Sequence, residues 1–228
     1  MSGGDRQPPL MRRSFLSRLG VGVTALGAAF GGRAAQVHAQ RAGTGPWQPA
    51  RHAQDNWLDE LPGRHRLVFD TTTADGLEKA MNYAHNYLQA SEAAYGLKSS
   101  DLAIVIIARH VATVFAYGDA MWAKYGTPLS QMINFTDRKT KEPPSVNVYR
   151  TGRETSLDSL AKRGVQFAVC EMATRVYAEG LARRTSGDAD AIHKELMSNL
   201  IMHSHSVPAG IVTVGRAQER GYALAHGG

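Results

Sequence analysis

A single cysteine, Cys170, stands where the apolar run "VQFAV" gives way to a helix-like pattern, "EMATRVYAEGL". A buried strand followed directly by a helix would leave the thiol at the strand's carboxyl end. There it would meet free backbone N–H groups and the positive end of the helix dipole, both of which favour a thiolate. The neighbouring Glu171 and the apolar approach work against that charge. Three roles are therefore open to Cys170: a nucleophile, a metal ligand, or a small buried apolar residue.

Arg109 and His110 end the apolar run "LAIVII" much as Cys170 ends its own. If the two strands are neighbours, all three side chains lie on the carboxyl edge of the sheet, where open α/β folds place their sites. An imidazole there could deprotonate a thiol or join it as a metal ligand. A guanidinium could hold an anion such as a thiosulfonate. Thr71 and Thr72 close the first apolar run, "LVFDTTT", and complete the candidate set as substrate-binding residues. A separate cluster, "MHSHS", offers Met202, His203 and His205 as weak metal ligands. Two histidines two residues apart on a strand share a face, but two ligands do not complete a copper or zinc site. The carboxylates show no paired arrangement for hydrolysis, and no Gly-rich loop has the strand-to-helix context of a phosphate cradle, so no cofactor is expected.

The chain must be long enough to position such an edge. Its 228 residues, 43% hydrophobic and 20% charged, suit one α/β domain with a sizeable core rather than a disordered chain. The formal charge of +6 would suggest an anionic polymer as partner. Residues 1–39 hold five of the 26 basic residues (Arg6, Arg12, Arg13, Arg18, Arg33) and one of the 20 acids, Asp5. That leaves 21 against 19 in the remainder, and a nucleic-acid partner has no support.

The same segment has the layout of a twin-arginine export signal. Arg12 and Arg13 are followed by "SFL", an uncharged Gly/Ala-rich stretch from Leu19 to Gly32, and an A-x-A-like end at Ala39. The apolar stretch is too short and Gly-rich for a stable span, which needs about 20 apolar residues. The expectation is a periplasmic protein with no stable membrane insertion after the signal is removed, and Met11 is an alternative start. In an oxidising compartment a lone cysteine lacks an intramolecular partner.

Beyond the signal, residues 40–63 read as an extended tail that packs Trp47 and Trp57 on a neighbouring surface. Residues 64–228 then alternate strand and helix. Strands are expected at "RLVFD", "LAIVIIA", "VQFAVC" and "HSV", with helices after each and a last helix over "IVTVGRAQERGYALAH". This rhythm implies one doubly wound, flavodoxin-like domain, a mostly parallel sheet with helices on both faces. Residues 134–156, polar, basic and broken by Pro143–Pro144, interrupt it as a surface excursion or an oligomer contact.

Four stretches, "HRLVFDTTTADGLEKAMNYAHNYL", "LAIVIIARH", "LAKRGVQFAVCEMAT" and "VPAGIVTVGRAQERGYALAH", resemble in order and spacing the DsrE/DsrF-like family of small sulfur-related α/β proteins. The resemblance covers about residues 64–226, with 134–156 its chief departure. It implies a flavodoxin-like sheet, homo-oligomerisation and, as in the sulfur-trafficking members, a cysteine that carries persulfide sulfur. Cys170 falls at that position. The expected function is then an exported sulfur carrier or relay, with possible sulfurtransferase activity and a sulfur donor or acceptor protein as partner. His110 and Arg109 would assist Cys170. The alternative is a non-enzymatic periplasmic protein that binds a small ligand or metal and buries Cys170 as a structural residue.

Overall fold

The computed structural model describes residues 47–227, and those from Gln48 onward form one compact unit. The signal residues Arg12, Arg13 and Ala39 lie outside the described residues. Five strands build one sheet: β1 (His65–Thr71), β2 (Leu102–Ala108), β3 (Gln166–Cys170), β4 (Ser204–Val207) and β5 (Ala223–His226). They run in the order β4-β3-β2-β1-β5, every neighbouring pair parallel. The seven residues of β2 are all buried, as a central strand covered on both faces requires.

The described residues form seven α-helices, of which α1 (Trp57–Glu60) precedes β1 and the others connect the strands: α2 (Ala74–Tyr95), α3 (Asp119–Ile133), α4 (Leu157–Lys162), α5 (Glu171–Thr185), α6 (Ala189–Ser198) and α7 (Gly210–Gln218). Thr73 starts α2 by accepting the Gly76 N–H at 2.9 Å, and Gly96, at φ +65°, ends it. The inward residues of α2 to α6 pack on one face of the sheet, against Phe69, Ile104, Ile106, Phe167 and Val169. The other face, built on Val68, Val105, Ile107 and Ala168, is covered by α7 and α1. The fold is therefore a flavodoxin-like α/β sheet with helices on both faces. No helix among the described residues is long and apolar enough to cross a membrane.

Three local readings need correction. The final segment is not one helix. It stops at Gln218, Gly221 turns at φ +79°, and Ala223–His226 pairs with β1 as a fifth strand. Buried Tyr222 fixes the break by donating its hydroxyl to the Leu58 carbonyl at 2.7 Å. The helix expected directly after the second strand begins instead as a 3₁₀ segment, His110–Ala116, and α3 starts only after Gly118. Residues 48–63 are not a simple extended tail either: they make two short helical turns, and Leu58 is fully buried under α7's face. Trp57 lies flat on His205, with ring centroids 4.1 Å apart and 9° between planes, while Trp47 is exposed.

The excursion at 134–156 has no helix or strand but is fastened to the body. The buried Asn147 amide donates to the Phe115 and Tyr117 carbonyls at 2.7 and 2.9 Å. Arg150 bridges Asp119 and Asp158, and Arg138 and Arg153 both reach Glu78 on α2. Gly126 of α3 permits the chain to cross closely, since any Cβ there would collide with the Pro144 carbonyl.

Candidate active site

The sheet register brings five strand ends to one edge. Thr71 of β1 pairs with Ala108 of β2, Ala108 with Val169 of β3, Cys170 with Val207 of β4, and Asp70 with His226 of β5. Side chains alternate along a strand, so residues two positions apart share a face. Asp70 follows Val68, Arg109 follows Ile107, Cys170 follows Ala168, and His226 follows Leu224. All four therefore belong to the face covered by α7, at its carboxyl edge.

Arg109 is the centre of this group. Its Nε and one Nη donate to the two carboxylate oxygens of Asp70 at 2.7 and 2.8 Å, a two-pronged pair across neighbouring strands. Asp70 is nearly buried, so Arg109 supplies the charge and donors its carboxylate would otherwise lose with water. The bond to Asp70 holds the Arg109 guanidinium above its usual range, with a smaller coulombic contribution from Cys170. His226 Nδ1 lies 3.8 Å from Asp70 and adds a second cation there when protonated. Above them sits the start of α7. A Cβ on Gly210 would fall 2.6 Å from the Arg109 Cβ, so only glycine lets the helix approach this closely.

Cys170 caps α5. The Ala173 N–H donates to its Sγ at 3.4 Å, an interaction that stabilises negative charge on sulfur. The Cys170 carbonyl accepts from the Thr174 hydroxyl at 3.1 Å, and that hydroxyl accepts from Tyr117 at 3.1 Å. Burial raises Tyr117 well above the usual phenol range, which keeps it protonated as a fixed donor. Cys170 is buried, with 7% of the residue exposed. It is the only cysteine in the chain, and it is free.

The other expected site residues fall less simply. His110 is exposed at the same edge with φ +55°, and its carbonyl accepts from Tyr177 at 3.3 Å. No hydrogen bond or ion pair joins its imidazole to Cys170. Thr71 is fully buried and donates its hydroxyl to the Ile107 carbonyl at 2.7 Å, while its own carbonyl accepts the Arg109 N–H at 3.2 Å. It positions Arg109 and has no free hydroxyl for a ligand. Thr72 is half-buried, and its carbonyl accepts the Ala112 N–H at 3.3 Å.

His203 and His205 lie at the opposite, amino edge. Both meet Gln166, His205 Nε2 at 3.0 Å from its Oε1 and His203 Nδ1 at 3.5 Å from its Nε2. No cluster of three or more His, Cys, Asp or Glu with metal-binding geometry occurs among the described residues, so this pair has no third ligand of that kind. Asp70 and His226 were not in the sequence-derived set. An acid near the end of β1 was visible in the sequence, but nothing local paired it with Arg109 before the strand order was known. His226 stayed hidden because its strand reads as the tail of a helix. Comparison of the chain with protein-family models, with curated proteins and with solved structures finds no match.

Proposed function

We propose that this protein is an exported sulfur carrier of the DsrE/DsrF-like type, loaded as a persulfide on Cys170. The observation that carries the reading is the setting of the sole thiol. It receives a backbone N–H at the start of α5 and lies within the electrostatic reach of Arg109, itself locked by Asp70. With thiosulfate as donor, the Cys170 thiolate attacks the outer sulfur. A Cys170 S–S bond forms, the donor S–S bond breaks, and the bonding pair leaves with sulfite. Arg109 has exposed surface left after pairing with Asp70 and meets the donor's negative charge. His110 stands exposed at the same edge as the available base.

The reading includes export through the Arg12–Arg13 signal, cleavage after Ala39 and a homo-oligomeric carrier that docks with a donor or acceptor protein. Met172 and Val176 of α5, which follow Cys170 in the chain, and Ile211 in the first turn of α7 are exposed and offer an apolar docking surface. The Met172 N–H bonds the Pro208 carbonyl at 3.3 Å, which joins the two helix starts. The near-burial of Cys170 favours a second reading, a small-ligand binder with a structural cysteine.

Alkylation rate against pH, with intact mass after polysulfide or thiosulfate, separates the two. The carrier labels in its folded state and gains one sulfur that reductant removes, and Arg109→Gln slows loading from thiosulfate. A thiol that reacts only after unfolding excludes the carrier.

A further inference from the structure

The 134–156 excursion does more than cover the body. Between it and α2 lies a cavity of about 410 Å³, inside the range of about 300–1,000 Å³ that accommodates small ligands. Its wall is largely apolar, formed by Phe135, Val146, Val148 and the ring of Tyr149. Arg138, Lys139 and Arg153 stand around it against two carboxylates, Glu78 and Asp137.

Two features single out a ligand of one charge type. Tyr149 is 4% exposed as a residue and lines the cavity, and its hydroxyl makes no hydrogen bond among the described residues, so its O–H is free to donate to a molecule bound there. Burial first, and the nearby Glu78 charge second, push the phenol up to about 12, so it remains a donor at neutral pH. The guanidiniums also keep donors in reserve. Glu78 accepts once from Arg153 at 2.7 Å and once from Arg138 at 3.0 Å, and Asp75 takes the other Nη of Arg138 at 2.6 Å. The Nε and second Nη of Arg153 have no partner among the described residues, and its guanidinium carbon lies 5.9 Å from the Tyr149 ring centroid. A neutral ligand would leave the spare Arg153 donors unused, and a cation would meet three like charges against two carboxylates that already accept from Arg138, Arg153 and the Lys139 N–H.

We propose that this cavity binds a small carboxylate with an aromatic or branched apolar body. The apolar part lies against Phe135, Val146 and Val148, and the carboxylate accepts from Arg153 and the Tyr149 hydroxyl. Such a charge-assisted bond is worth more than a neutral one, which sets the expected selectivity.

The test uses the full chain with phenylacetate, phenylacetamide and phenethylamine as probes, followed by calorimetry and saturation-transfer NMR. Phenylacetate binds with a dissociation constant at or below about 1 mM, and the amide and the amine bind about tenfold more weakly or not at all. Tyr149→Phe keeps the ring and lowers phenylacetate affinity about 3- to 10-fold. Arg153→Gln lowers it about tenfold while the urea midpoint, read alongside, shows that the variant remains folded. Cys170→Ser leaves the affinity unchanged, which separates this site from the thiol. The proposal is overturned if the acid and the amide bind alike, if Arg153→Gln binds as the native chain does, or if phenylacetate does not bind at about 1 mM.

Discussion

On one face of the sheet, five helices bury Phe115, Trp122, Leu129, Phe167 and Leu181 in a continuous apolar layer. On the other, a nine-residue helix and a single helical turn cover a smaller core, and four polar side chains gather at its carboxyl edge. The deep face supplies the area that stabilises the fold. The shallow face lets charged groups end strands next to one another, because α7 begins over them and does not seal the edge. Asp70 and Arg109 survive there by pairing, and Cys170 by capping a helix that belongs to the deep face. The candidate site thus draws its scaffold from one layer and its openness from the other.

The largest effect that tests this division comes from the deep face. Phe115 is fully buried and packs on Trp122, Phe135 and Tyr149, with ring centroids 5.4, 5.0 and 4.8 Å away. Phe115→Ala is expected to cost about 3–5 kcal/mol in urea unfolding, through lost transfer energy and the cavity left behind. Native-state labelling of Cys170 should stay unchanged under conditions where the variant remains folded. A loss below about 1 kcal/mol would mean that the deep layer does not dominate stability.

A smaller stability effect with a larger consequence for the site is expected on the shallow face. In Gly210→Ala the new methyl would fall 2.6 Å from the Arg109 Cβ and 3.0 Å from the Ile107 side chain. Either α7 lifts or Arg109 shifts, at about 1–3 kcal/mol, the usual cost of overpacking. Moving Arg109 should change the rate at which Cys170 is alkylated, whereas Phe115→Ala should not. If Gly210→Ala leaves labelling untouched, Arg109 and Cys170 are not coupled and the two faces are independent.

The deep face was the more legible of the two in the sequence. A continuous β-branched run marked β2, a short apolar run marked β3, and helical spacing marked α2 and α5, because burial repeats with the period of the backbone. Cys170, Arg109 and His110 could be placed on one edge for the same reason: a parallel sheet puts every strand's carboxyl end on one side. What stayed hidden was decided by contacts distant in sequence. Nothing local in "GYALAH" distinguishes a helix end from a strand. β5 exists because Tyr222 reaches back to Leu58 and the last residues find the free side of β1. Thr71 looked like a ligand-binding hydroxyl until its partner, the Ile107 carbonyl on the next strand, was known. The pairing of Asp70 with Arg109 likewise depended on strand order, which spacing alone does not give.

The subtlest expected effect lies at the amino edge, where the shallow face has its own titrating group. His205 is half-buried beneath Trp57, with His203 and Glu60 the charged neighbours that act on it. Burial first and the His203 charge second lower its pKa from 6.5, against a smaller opposing effect of Glu60. The sign of the consequence follows from proton counting. Below 6.5 the unfolded chain takes up a proton that the folded His205 resists, so folding stability falls as pH drops through that value. The loss is complete once pH is under the folded-state pKa, and nothing is lost on the alkaline side. Urea midpoints between about pH 5 and pH 8 should therefore dip toward acid in the native chain. The dip should be shallower in His205→Phe, which keeps a ring against Trp57 but carries no titrating group. His203→Gln should also reduce it, by removing the second cause. Equal dips in all three chains would assign the acid sensitivity to other groups and leave the Trp57–His205 stack as packing alone.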